Sequence, residues 1–89
     1  MKELRETIEY MTSADYKERF KAEYWQTKIR YEKLKAFNRK IEAAECTAIA
    51  EMPKHDCPYW VLREQQSIMG EYLRMLEMRA HIEGVDIND

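Results

Sequence analysis

Five cations recur along one stretch of the chain: Lys17, Lys21, Lys28, Lys35 and Arg39. At 100° per residue on a helix they share a narrow angular band beside Tyr24 and Trp25. Ammonium and guanidinium groups donate to phosphate oxygens, and an aromatic face stacks on a base or attracts a cation. The row therefore predicts a site for a phosphate-bearing, base-bearing small molecule. Lys21, Lys28 and Arg39 would meet its phosphates, and Trp25 or Tyr24 its ring. A plainer reading has Trp25 and Ile29 packing on another subunit while the lysines form a solvated flank. The two combine in an oligomer seam that also forms an anion pocket.

The other reactive side chains offer less. Cys46, His55 and Cys57 are three soft ligands near one end, but a structural zinc site normally takes four, usually with a Cys-x-x-Cys pair. Only His-x-Cys is present, so buried thiols and a surface imidazole are the ordinary expectation and no metal is expected. There is no glycine-rich phosphate loop, no nucleophile motif and no His-Glu-x-x-His. No enzyme and no cofactor is predicted. Readers of nucleic acid sequence are net basic and carry a recognisable motif; this chain has a net charge of −2 and no such motif.

That net charge hides a division. Residues 17–40 carry nine Lys/Arg against three Glu, and residues 41–89 carry four Lys/Arg against ten Asp/Glu. Two antiparallel helices of opposite charge would attract along their flanks. The basic one would also suit an anion.

The elements that must hold these residues are helices. Two glycines and two prolines in 89 residues leave little for turns, while Glu, Lys, Arg, Ala, Met and Leu lose little freedom in a helix. Leu4, Ile8 and Met11 predict a short leading helix, a 1–12 extension before a hairpin domain over 13–89. Thr12-Ser13 would cap the next helix, with Asp15 completing a capping box. From Asp15 to about Glu51 no Gly or Pro intervenes, and Tyr16, Phe20, Tyr24, Thr27, Tyr31, Leu34 and Ile41 mark one face. Trp25, Ile29, Ala36 and Ala43 fall nearly opposite, as a second contact stripe. Met52-Pro53 should end this helix, and residues 54–57 form the turn.

Pro58 suits the first turn of a second helix, running to about Glu83. Val61, Leu62, Gln65, Ile68, Met69, Tyr72, Leu73, Met75, Leu76 and Ile82 are assigned to its inner face. Arg63, Ser67, Gly70, Arg74 and His81 are assigned to the outer one. Gly70 in mid-helix costs about 1 kcal/mol against alanine, which suggests close approach by another backbone or a ligand. Trp60 either covers the hairpin end or anchors a partner. Gly84 sits where a helix stops at positive φ, and Val85 and Ile87 form an apolar tail.

The expected fold is thus all-α: a long antiparallel helical hairpin with a short N-terminal helix. A hairpin this slender cannot cover both its apolar faces, so assembly into a helical-bundle homo-oligomer is expected, with Ile29, Ala36, Trp60 and Gly70 at the interface. No apolar run reaches the ~20 residues of a membrane span, and the N-terminal residues lack the apolar stretch of a signal peptide. A cytoplasmic protein with free thiols is expected, although a disulfide closing the loop between Cys46 and Cys57 is also open.

The stretch Asp15 to Tyr24, DYKERFKAEY, continues through Tyr31-Glu32-Lys33-Leu34. Cys57-Pro58, Leu62, Gln65, Met69, Tyr72-Leu73, Leu76, Arg79-Ala80 and Ile82-Glu83-Gly84-Val85 follow it. Over about residues 15–87 this pattern resembles a family of small helical bacteriophage proteins named after a crAss-like phage gene product. The resemblance implies work in the cytoplasm of an infected host bacterium and supplies no catalytic residues. Trp60-Val61-Leu62, Gly70 and Arg79-Ala80 are also similar in pattern to phage hairpin proteins that sequester cyclic-nucleotide immune messengers at subunit interfaces. The expectation is therefore a counter-defence protein that holds a host cyclic nucleotide. The alternatives are an inhibitor that presses on a host defence protein, in the manner of an anti-CRISPR, and an accessory phage structural or regulatory protein.

Overall fold

The computed structural model describes residues 1–89. A 3-10 turn, Leu4–Thr7, runs into the one-turn helix α1 (Ile8–Met11), followed by α2 (Tyr16–Cys46) and α3 (Tyr59–Glu83). No helix is long and apolar enough to cross a membrane. The chain is a rod, 50 × 24 × 20 Å, with a radius of gyration of 15.9 Å. A sphere-like domain of this length would have about 12 Å.

Helix α2 begins at Asp15, whose side chain accepts from the Lys17 backbone N–H at 2.9 Å. The expected cap, Thr12-Ser13, lies too early. Instead, Ser13 Oγ accepts from the Asp15 N–H at 3.0 Å and shapes the turn before the helix. The helix also stops at Cys46, short of Glu51. Thr47 is extended (φ −150°, ψ 144°), and its Oγ1 accepts from the Ile49 N–H at 3.2 Å. That local bond competes with continued helix. The connector is therefore residues 47–58, not the short turn at 54–57, and Pro58 caps α3 from outside rather than opening it.

The hairpin is antiparallel. Tyr16 at the start of α2 donates to Glu83 at the end of α3 (3.0 Å), and Tyr59 at the start of α3 donates to Glu42 near the end of α2 (2.8 Å). Between them Tyr24 donates to Glu77 (2.9 Å). No ion pair joins α2 to α3; apart from one linking Met1 to Asp89, the pairs lie within three or four residues of one another or closer. The opposite charges of the two halves are not spent on cross-helix bridges. Phenol–carboxylate bonds do that work.

The core gathers Phe20, Tyr24, Leu73, Leu76, Ala80 and Val85, with Trp25, Tyr31 and Ile87 against it. Gly84 takes φ 67°, ψ 39° and ends α3, and the Val85 N–H returns to the Ala80 carbonyl at 2.9 Å. This turn folds the apolar tail back, placing Val85 in the core with Ile87 against it. Deeper along the hairpin, Asn38 is fully buried and donates to the Leu62 carbonyl (3.2 Å) and Gln66 Oε1 (2.9 Å), while its own Oδ1 has no partner.

The leading segment packs along α2, with Thr7 buried and accepting from Gln26 Nε2 at 3.0 Å. One assignment of face changes. On α3, Ile68, Tyr72, Met75 and Ile82 point outward, away from the buried Leu73, Leu76 and Ala80. The apolar residues of α3 occupy both sides of the helix, and periodicity assigned them all to one.

Candidate functional site

Helix α2 lies between two coverings. Its Phe20–Tyr24–Ile41 face meets α3, and the face bearing Ala22 and Ile29 meets the N-terminal segment. Trp25 sits at the edge between them. Its Nε1–H donates to the Ile87 carbonyl at 2.9 Å, and its ring meets Tyr24 edge-on, with centroids 5.4 Å apart. The indole is thereby fixed by its own chain, half-buried, with cavities on either side.

The cavity toward the C-terminal tail holds about 570 Å³ and is lined by Trp25, Glu77, His81, Asp86 and Asp89 among others. Three carboxylates make it hostile to phosphate. The cavity toward the N-terminal segment is smaller, about 270 Å³, and is lined by Met1, Lys2, Trp25, Lys28, Ile29, Glu32 and Lys33. Here three ammonium groups face one carboxylate. Glu32 is held by Lys35 at 3.1 Å and Lys28 at 3.2 Å. The hydrogen bond from Lys35, helped by Lys28, holds its carboxyl below the usual range. Lys2 and Lys33 have no ion pair, and both are exposed. Chemistry, not size, selects this second cavity for an anion.

Of the predicted ligand residues, Trp25 and Lys28 come together there. Lys33 and Lys2 join them, which the α2 stripe alone did not single out. The signal for Lys33 lay in its position one turn beyond Ile29; that for Lys2 required knowing where the N-terminal segment docks. Tyr24 is buried against α3, and its hydroxyl, desolvated and bonded to Glu77, is pushed up to about 12. It has no face free for stacking. Lys21 lies over the Tyr10 ring, 5.3 Å from its centroid, and Lys17 donates to the Gly84 carbonyl at 3.3 Å. Lys35 lies over Tyr31 at 5.2 Å. Arg39 is exposed and about 27 Å along the helix from Lys21. The cation row therefore does not converge on a single small molecule.

The predicted interface residues divide too. Ile29 is buried inside the single copy by the docked N-terminal segment, and so presents nothing to a second subunit. Gly70 faces inward: a Cβ there would lie 3.3 Å from Tyr31 Cε1. The close approach it permits is by its own α2. Ala36 is exposed, and Trp60 is 70% exposed, lining a shallow hollow with Tyr59, Arg63, Glu64 and Ser67. Both cysteines are free thiols, Cys46 exposed and Cys57 half-buried.

A protein-family model described as Sequestin matches residues 14–82, from just before the α2 cap to the last turn of α3. No curated protein and no solved structure matches the chain. The matched span contains Trp25, Lys28 and Lys33, and leaves out Lys2 and the tail.

Proposed function

The chain belongs to the Sequestin family, and from that premise we propose that it sequesters a cyclic-nucleotide immune messenger in a phage-infected bacterium without transforming it. The family's name fits a binding role rather than a catalytic one. The observation that carries the ligand class is the cluster of Lys2, Lys28 and Lys33 around the fixed indole of Trp25. Phosphates would bind the ammonium groups, two of them without a carboxylate to displace, and a base would lie against the indole. The rigid ring adds affinity because little side-chain freedom is lost on binding.

A cavity of about 270 Å³ falls just short of the roughly 300–1,000 Å³ of drug-sized sites. It accommodates one nucleotide unit, and the remainder of a cyclic di- or trinucleotide would extend over Lys33.

The test is thermal unfolding against a panel of cyclic di- and trinucleotides and cyclic ADP-ribose isomers. A true ligand at a hundredfold excess over its Kd stabilises the fold by about 2.7 kcal/mol. The Lys28→Glu/Lys33→Glu variant should lose that gain while keeping the helical spectrum. No shift with any compound refutes the reading. An inhibitor that binds a host defence protein is favoured by one observation, the exposed apolar side of α3 around Trp60. It requires that side to remain free.

A further inference from the structure

Helix α3 has two apolar sides. The inner one packs on α2 through Leu73, Leu76 and Ala80. The outer one carries Trp60, Ile68, Tyr72, Met75, Met78 and Ile82, all exposed, with Ile68 at 60% and Ile82 at 77%. At 100° per residue these six fall within about 120° of arc, and they extend for about 33 Å. Single exposed apolar residues are ordinary, but a continuous band along a helix is not. Neither the N-terminal segment nor the C-terminal tail reaches it, because both are folded onto α2 or into the core.

We propose that this band pairs with the same band of a second copy, α3 antiparallel to α3, with the twofold axis between Glu71 and Tyr72. The charges within the band select the direction. Glu64 and Glu71 lie among its apolar residues, and at its edge lies Arg79, which pairs with Glu83 of its own helix and keeps half of its side chain exposed. A parallel pairing sets each residue opposite itself, so Glu64 would meet Glu64 and Arg79 would meet Arg79, whereas the two Glu71 side chains, each paired with its own Arg74, come close in either direction. The antiparallel pairing sets Glu64 of one copy opposite Arg79 of the other. In the same alignment Ile68 faces Met75, and Val61 faces Ile82. Apolar thus meets apolar at Val61–Ile82 and Ile68–Met75, and acid meets base at Glu64–Arg79 between them. A self-complementary patch of this kind closes with twofold symmetry and leaves no further band exposed.

The resulting order is α2–α3–α3–α2, a four-helix arrangement built from two hairpins. The Trp25–Lys28 cavity lies on the side of α2 turned away from α3, so each copy keeps its own. Pairing does not depend on the ligand reading, and mass is measured without ligand.

Sedimentation equilibrium should give twice the 10.8 kDa chain mass. Ile68→Glu, and separately Met75→Lys, should return it to the single-chain value with an unchanged helical spectrum, since both side chains are exposed in one copy. Direction is read by disulfide trapping in a Cys46→Ser/Cys57→Ser background. Tyr72→Cys should cross-link under mild oxidant. Trp60→Cys should not, because the two positions would lie about 34 Å apart. A single-chain mass for the wild type, a doubled mass in both variants, or trapping through position 60 rather than 72 would each overturn the pairing.

Discussion

Replacing Gly84 with alanine isolates a backbone effect, because the new methyl group meets nothing closer than Lys17 Nζ at 4.0 Å. What it meets is its own dihedral: φ is +67°, where a residue with a Cβ is disfavoured by about 1–2 kcal/mol. The turn at Gly84 buries Val85 and brings the Ile87 carbonyl to the Trp25 indole, so the strain acts on the tail that fixes the site. For a domain of this size each kcal/mol lowers Tm by about 4–8 °C, giving an expected fall of about 4–16 °C. Gly84→Asn should fall less, since asparagine tolerates the left-handed region. Circular dichroism melts measure the loss. In a Trp60→Phe background the remaining emission belongs to Trp25 alone and should shift to the red as the tail loosens. An alanine variant that melts with the wild type, its emission unmoved, would show that the positive dihedral neither limits stability nor holds the indole.

Two further outcomes follow from α2 and α3. Gly70→Ala sets the roughly 1 kcal/mol gained in helix propensity against a 3.3 Å contact with the Tyr31 ring. It should stay within about 0.5 kcal/mol of wild type by denaturant titration at constant m. In a Tyr31→Ala background the full gain should emerge; equal effects in both backgrounds would remove the ring from the account. The hydroxyl of Tyr24, raised from 10.0 to about 12 by burial and by its bond to Glu77, binds its proton more tightly in the folded chain than in the unfolded one. Its contribution is therefore complete below pH 10 and is lost between pH 10 and 12. Tyr24→Phe should show a shallower alkaline decline, relative to its own stability at pH 8, in melts across that window. A decline as steep as the wild type's would assign it to Tyr16 and Tyr59, whose hydroxyls are also raised by bonds to Glu83 and Glu42.

The hairpin was legible because its signals are local. Gly84 marks the end of α3, and the absence of glycine and proline after Asp15 marks α2 as one long helix, though not where it stops. The faces of α3 were not, because Leu73, Leu76 and Ala80 on one side and Ile68, Met75 and Ile82 on the other together span about half the wheel. A helix apolar on two sides has no single period to read. The stop at Cys46 was hidden for a different reason. Thr47-Ala48-Ile49-Ala50-Glu51 is acceptable helix by propensity, but α3 begins level with Glu42, and further turns of α2 would have no partner. In the site, residue types pointed to Trp25 and Lys28. The contribution of Lys2 and the burial of Ile29 depend on the docking of the first ten residues, which rests on long-range bonds such as Gln26 to Thr7.

The connector between the helices has its own consequence. Ile49 is 95% exposed, and from Thr47 to Pro58 the backbone makes no helix or sheet. The rods on either side are clasped through the Asn38 amide, the three tyrosine hydroxyls and the packing of Leu73, Leu76 and Ala80 against Phe20 and Tyr24. Continuity of the polypeptide at this end contributes little beyond keeping two pieces in one vessel. A protease that cuts near Ala48 should leave both fragments together, and the two halves, made as separate peptides, should find each other and rebuild the same rod.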